Sequence, residues 1–197
     1  NFIVEEWLIV MIKRSQVRRY QEQSREILEK AGIVLTGDEK NNVEIAEFGL
    51  KDFEREGLSL VVYVNTDRYC AKDLVMLPGQ TCPEHVHPPL KSEGDPGKME
   101  TFRCRWGRVL LYVEGEGDKN SIQATLPNGS EAYYKVFHEV ELKPGEQYTI
   151  PPNTWHWFQA GNEGAVISEF SSTSRDEYDI FRDNRVKRIP EVIEDEG

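Results

Sequence analysis

The chain has 197 residues, 38% of them hydrophobic and 30% charged, enough for one domain to bury a sizeable core without disulfide help. Its formal charge of -11 argues against a phosphate backbone as partner, because nucleic-acid surfaces need clustered Lys and Arg. No apolar run approaches the roughly 20 residues of a membrane helix; the stretch from Phe2 to Ile12 is too short, is broken by Glu5 and Glu6, and lacks the features of an export signal, so a cytoplasmic protein is expected.

Met11 precedes a polar helical pattern and reads as a natural start, so residues 1–10 are expected to be a non-native leader. Val17, Tyr20, Ile27 and Leu28 recur at helical intervals, which predicts an amphipathic helix over 15–31, with Ser15 as its cap and Gly32 as its stop. A turn-rich patch, TGDEKNN, follows from Thr36. The period then changes to two, and strands are predicted at 58–65, 73–76, 101–105, 108–114, 121–126, 139–142, 147–150, 154–160 and 165–170. Turn signals separate them at Pro78-Gly79, Pro96 to Lys98, EGEGD, PNGS, KPGE and GNEG. Many short strands with regular turn chemistry predict an all-β protein with a minor α part, an antiparallel sandwich or barrel forming a single domain over 11–190. The acidic tail, 191–197, has too little apolar content to pack and is expected to fray. Cys70, Cys82 and Cys104 are an odd set without CxxC spacing, fit a reducing compartment, and read as small buried hydrophobes.

Of the 4 histidines, three fall beside strand and turn signals of one recurring layout. His85 and His87 are two apart, so on an extended segment both project to one face and can share an ion. The Pro- and Gly-rich run PPLKSEGDPGKM can fold the chain back and return Glu100 to that face. Gly145, Pro151 and Asn153 lead to His156, a fourth ligand on the next strand. Three imidazoles and a carboxylate suit one divalent Mn, Fe, Co, Ni or Zn ion and leave coordination positions open for a substrate. His138 lies outside both segments and reads as structural.

These segments match the two cupin motifs, glycine then HxH, Glu and Gly, and GxxxxxPxxxxH. The resemblance implies a cupin jelly-roll (double-stranded β-helix) barrel. The run from His87 to Glu100 is longer than in the commonest cupin form, which leaves Glu93 as a second candidate; the intact spacing from Glu100 to Gly107 favours Glu100. Beyond that generic pattern, HPPLKSEGDPGKMETFRCRWGRVLLYVEGE, IPPNTWHWFQAG and ISEFSSTSRDEYDIFRD resemble the cupin-type D-lyxose isomerases over roughly Phe48 to Pro190. That resemblance implies a metal-dependent aldose-ketose isomerase interconverting D-lyxose and D-xylulose, and D-mannose and D-fructose besides, through a cis-enediolate. It also implies Mn(II), a monosaccharide as partner and a homodimer.

In that family PGKxETF carries an active-site lysine and a ligand, which fall here on Lys98 and Glu100. An acid on the strand after the second motif corresponds to Glu169, and Asp179 resembles a further acid of the pocket. Glu169 is expected to relay the proton between C1 and C2, and Lys98 to stabilise the developing oxyanion. Trp155, Trp157 and Phe158 alternate along one strand, so some are core and others, Trp155 first, can stack on a sugar; Phe102, Arg103 and Trp106 get the same mixed reading, with Phe102 expected in the pocket. The rival readings are a cupin dioxygenase, a cupin phosphoglucose isomerase, which would need a compact basic cluster, and a sugar-binding cupin without turnover.

Overall fold

The computed structural model describes residues 11–195, so the leader expected at 1–10 lies outside the described residues. A short strand, β1 (Met11–Lys13), runs directly into α1 (Arg14–Lys30). This helix buries Tyr20, Ser24, Ile27 and Leu28 along one stripe, as its periodicity predicts. It starts before Ser15: Lys13 is the cap residue, and its N–H donates to the Gln16 side chain at 3.0 Å. Ser15 instead binds Asp195 through its amide and hydroxyl. Gly32 stops the helix as expected, its own N–H reaching Glu29 while that of Ile33 reaches Leu28. Within the patch read as turns lies α2 (Gly37–Asn41), a short helix made viable by the reciprocal Thr36–Glu39 capping box.

The remaining strands are β2 (Glu44–Ala46), β3 (Leu58–Asn65), β4 (Cys70–Met76), β5 (Thr81–Val86), β6 (Glu100–Val113), β7 (His138–Leu142), β8 (Gln147–Ile150), β9 (His156–Ser171), β10 (Ile180–Phe181) and β11 (Glu191–Ile193). β6 and β9 are the spine, paired antiparallel from Val113–His156 to Glu100–Ser171. The other edge of β9 is shared, β5 taking its first half and β4 its second. The free edge of β6 is divided likewise between β8 and β7. The ribbon thus joins the two halves of one 9-stranded sheet, which together enclose an apolar core. Leu60, Leu74, Phe102 and Ile167 come from one half, Cys82, Leu111, Val113 and Phe158 from the other. Ile27 and Leu28 of α1 cover the outside of the first half, against Val61, Val75 and Val166.

Three sequence expectations give way here. The pairs 101–105 with 108–114, and 154–160 with 165–170, are each one continuous strand, because their glycines make a bend and not a turn. At φ 73°, Gly107 lies so near its partner strand that a β-carbon on it would sit 2.1 Å from the Gly164 carbonyl oxygen. The ladder shifts register around that point. Residues 121–126 form no strand. Ile122, Ala124 and Leu126 do pack alternately near Trp157, but the amides of Gln123, Ala124 and Thr125 are taken by the side chains of Glu139, Tyr112 and Gln159 at 2.8, 3.0 and 3.0 Å. Side chains thus satisfy the backbone where a ladder was expected. Finally, the acidic tail is ordered as far as it is described: Glu191–Ile193 pair in parallel with Met11–Lys13, and Glu194 meets Arg14 at 2.9 Å. All three cysteines are buried and free. No helix among the described residues is long and apolar enough to cross a membrane.

Candidate metal centre

His85, near the end of β5, pairs in register with His156 at the start of β9. His87 follows two residues later on the same side. Each imidazole is anchored through Nδ1, His85 to the Pro83 carbonyl and His156 to the Thr154 carbonyl, both at 2.8 Å, and His87 to Asp179 Oδ1 at 2.5 Å. Carbonyls only accept, so Nδ1 of His85 and His156 carries the proton and Nε2 presents a lone pair. One ring nitrogen from each of the three histidines lies within 4.8 Å of the others. Glu100, the first residue of β6, brings Oε1 to 2.9 Å from His156 Nε2 and 3.3 Å from His87 Nε2.

All four side chains are buried, and Nε2 of His87, Nε2 of His156 and Oε1 of Glu100 have no hydrogen-bond partner among the described residues. Buried polar atoms without partners are costly, and a metal cation among them, taking the place of the His87 proton, removes the cost. Three imidazoles with outer hydrogen bonds and one carboxylate fit a divalent transition metal.

The electrostatics agree. Burial, helped by His156 and His87, holds His85 well below its usual pKa and therefore neutral. For His87, burial opposes the charge, but Glu100 and the Asp179 hydrogen bond outweigh it and raise the pKa to about 9. Glu100 is held well below the ordinary carboxylate range, because Lys98 and His87 overcome its burial. The same contest lifts Lys98 well above its usual value, Glu100 and Glu169 prevailing over desolvation.

Lys98 is buried and bridges two carboxylates, 2.8 Å from Glu100 Oε2 and 2.5 Å from Glu169 Oε1. Glu169 projects from the second half of β9, in register with Phe102 of β6 and Lys72 of β4. Lys98, Glu169, Asp179 and Phe102 thus line the same cavity as His85, His87 and Glu100, which encloses about 370 Å³ including its mouth. Phe158 is in its wall and Trp157 packs on the opposite side of β9.

Trp155, expected to face a sugar, is not among the wall residues; it lies half-buried under the Arg182 guanidinium, 3.7 Å from its ring centre. Glu93 sits in a loop, paired with Arg175, and not beside the histidines. Arg103 bonds Gln147 at the surface, Trp106 packs near α1, and His138 is exposed.

Three polar wall residues escaped the sequence reading: Lys72, Asp176 and Arg188. Lys72 Nζ lies 3.4 Å from Asp176 Oδ2 and 3.9 Å from Glu169 Oε1, and Arg188 Nη2 lies 2.9 Å from Asp176 Oδ2. The signal for Lys72 was its place two residues before Leu74 on a strand of period two, obscured because that strand was read as starting at Asp73.

Comparison with known proteins gives a consistent picture. Residues 37–197 match the D-lyxose isomerase family. The chain is 64% identical over 182 residues to a D-lyxose/D-mannose isomerase of Thermosediminibacter oceani, covering 92% of this chain and 99% of that one. It is 62% identical over 183 residues to a D-lyxose ketol-isomerase of Cohnella laeviribosi, covering 93% and 98%. The solved structure of Acinetobacter sp. DL28 L-ribose isomerase in complex with L-ribose superposes with a TM-score of 0.73 at 14% identity, covering 93% of this chain and 99% of that one. The likeness shows a shared fold, the sheet-rich cupin-like barrel that the motifs implied.

Proposed function

Since the chain belongs to the D-lyxose isomerase family and is a sugar isomerase, we propose that it interconverts D-lyxose and D-xylulose, and D-mannose and D-fructose, with one divalent metal held by His85, His87, Glu100 and His156. The observation that carries the reading is the meeting, in one buried cavity, of unpartnered ligand atoms with the Lys98–Glu169 ion pair. When bound, the metal would act as a Lewis acid toward the sugar's carbonyl and adjacent hydroxyl and so favour ionisation at the neighbouring carbon. Mn(II) is the ion we propose; Fe, Co, Ni and Zn suit the same ligands.

Glu169 takes the proton from C2 of the aldose and returns it to C1, passing through the cis-enediolate, while the hydroxyl proton of O2 moves to O1. Its Oε1 meets Lys98 as an ion pair, which fixes the carboxylate's orientation and leaves the other oxygen for the sugar. The Lys98 ammonium supports negative charge as it develops on the sugar oxygen. Asp179 holds the His87 ring in place and adds an acceptor to the cavity wall. Phe102 and Phe158 keep water from the reacting carbons. The assembly we propose is a homodimer, which sedimentation would test.

Incubation of metal-replete protein with D-lyxose and with D-mannose is expected to yield D-xylulose and D-fructose. Solvent deuterium should appear in the product at the receiving carbon. A product wholly free of deuterium would mean a hydride shift and take the relay away from Glu169. The relatives give no support to a dioxygenase or to a binding protein without turnover, and full activity without oxygen would exclude the first.

A further inference from the structure

Phe48 has a backbone that bulky residues rarely adopt. Its φ is 59°, in the left-handed region, within a short loop where Lys51 also has φ 60°. Such conformations persist only where the surroundings over-determine them, and they gather at ligand sites. The buried Glu47 carboxylate accepts the Gly49 N–H at 3.0 Å and also the Lys51 N–H. Its carbonyl accepts the Leu50 N–H at 3.4 Å, and the Phe48 carbonyl accepts the Lys187 N–H at 2.7 Å. The loop is therefore tied both to itself and to the segment that carries Phe181 and Arg188.

The consequence of this tethering is the position of one ring. Phe48 is 1% exposed and lines the cavity. Its ring lies 5.5 Å from that of Phe181, which in turn stacks 5.3 Å from the ring of His85. The three rings form a series leading away from the ligand cluster. An aldose must bring C1 and C2 to the ligands and to Glu169, so its remaining carbons extend toward the far walls. Lys72, Asp176 and Arg188 add polar partners to the cavity wall, Lys72 beside Glu169, whereas Phe48 offers only volume.

We propose that Phe48 sets the chain length of the sugar this pocket accepts, discriminating five-carbon from six-carbon substrates by bulk, and that Glu47 is a positioning residue acting through it. The proposal rests on the isomerase reading for its substrate class. Phe48→Ala is expected to raise the ratio of kcat/KM for D-mannose over D-lyxose about tenfold or more, the scale at which pockets sense a carbon unit. The affinity ratio of D-mannitol over D-arabinitol, the reduced forms of those sugars, should move the same way by calorimetry, a readout independent of turnover. Phe48→Leu, which keeps an apolar plug, should shift both ratios by about threefold and serves if the alanine variant misfolds.

Glu47→Gln should shift the ratios in the same direction through KM and not kcat; a lower Tm with unchanged ratios would remove Glu47 from the proposal. Ratios within twofold of the parent protein in both Phe48 variants would overturn it. Absence of turnover on either sugar would instead sink the isomerase reading, and the polyol ratio would still decide the role of Phe48.

Discussion

Lys98 Nζ and Glu169 Oε1 lie 2.5 Å apart with both side chains buried, so the expected base and the expected oxyanion partner form one unit. Removing Glu169, which makes no contact with the histidines, should therefore act on turnover and not on metal content. Glu169→Gln is expected to lower kcat by about 10²–10⁴-fold, the usual worth of a positioned base. Lys98→Met should lower it comparably and, by removing the cation that bridges Glu100 and Glu169, cost the metal-free protein on the order of 3–5 kcal/mol of stability. Steady-state kinetics, bound metal per chain and urea unfolding test this together; parent-like kcat in the Glu169 variant would exclude its role as the base.

A proton and a metal compete for the same place at His87. With a pKa raised to about 9, the metal-free ring is charged at neutral pH. Ligation must displace that proton, so apparent metal affinity should rise about tenfold per pH unit up to about pH 9 and level off above it. For the metal-free protein the sign is opposite. A raised imidazole pKa stabilises the fold fully below about pH 6.5, and on the order of 3 kcal/mol is lost as pH climbs through about 9. Calorimetric titration in buffers of different ionisation enthalpy should find about one proton released per metal at pH 7.5; no release would mean that the metal-free His87 ring is already neutral there.

Asp179 reaches the centre through His87 Nδ1. Its replacement by Asn weakens that anchor without touching the remaining ligands, and metal affinity should fall about 10- to 100-fold. Excess metal should restore much of the lost turnover. Recovery after dialysis against graded metal concentrations reads this directly.

Gly107 tests the bend. Because a β-carbon there meets the Gly164 carbonyl oxygen at 2.1 Å, Gly107→Ala should destabilise the fold by roughly 2 kcal/mol or more. Thermal unfolding measures the loss; an unchanged Tm would mean the ribbon can move apart there at little cost.

That the three histidines would come together was readable because strand alternation is a local rule. His85 and His87 need only an extended segment to share a face, and the PPNxxH layout announces His156. Glu100 was harder, since the long run before it hides which carboxylate returns; the spacing to Gly107 favoured it over Glu93, and Glu100 is the one that lies beside the histidines. Lys72, Asp176 and Arg188 were invisible for another reason. Each looks like an ordinary surface charge until β4, the segment after β9 and the segment after β10 are brought to one cavity. The GNEG glycines misled because the same residue type serves a turn and a bend, and only the partner strand distinguishes them. Trp155 shows the converse limit. An aromatic beside a ligand suggests stacking on a sugar, yet its neighbour turned out to be Arg182.

One strand, β9, carries the proposed ligand His156 at its first residue and Glu169 near its last. His156 and Glu169 share a side although they are an odd number of positions apart, because the alternation changes phase at the Gly161–Gly164 bend, Ala160 and Ala165 both facing the core; losing or gaining one residue on either side of that bend would turn Glu169 out of the cavity. The proposed ion site and the proposed proton-handling group are thus locked to a common ruler. Across descendants of this chain, length changes should accumulate in loops such as PNGS and spare the interval from 157 to 168, so that new sugar preferences arise by exchanging wall side chains and not by resizing that strand.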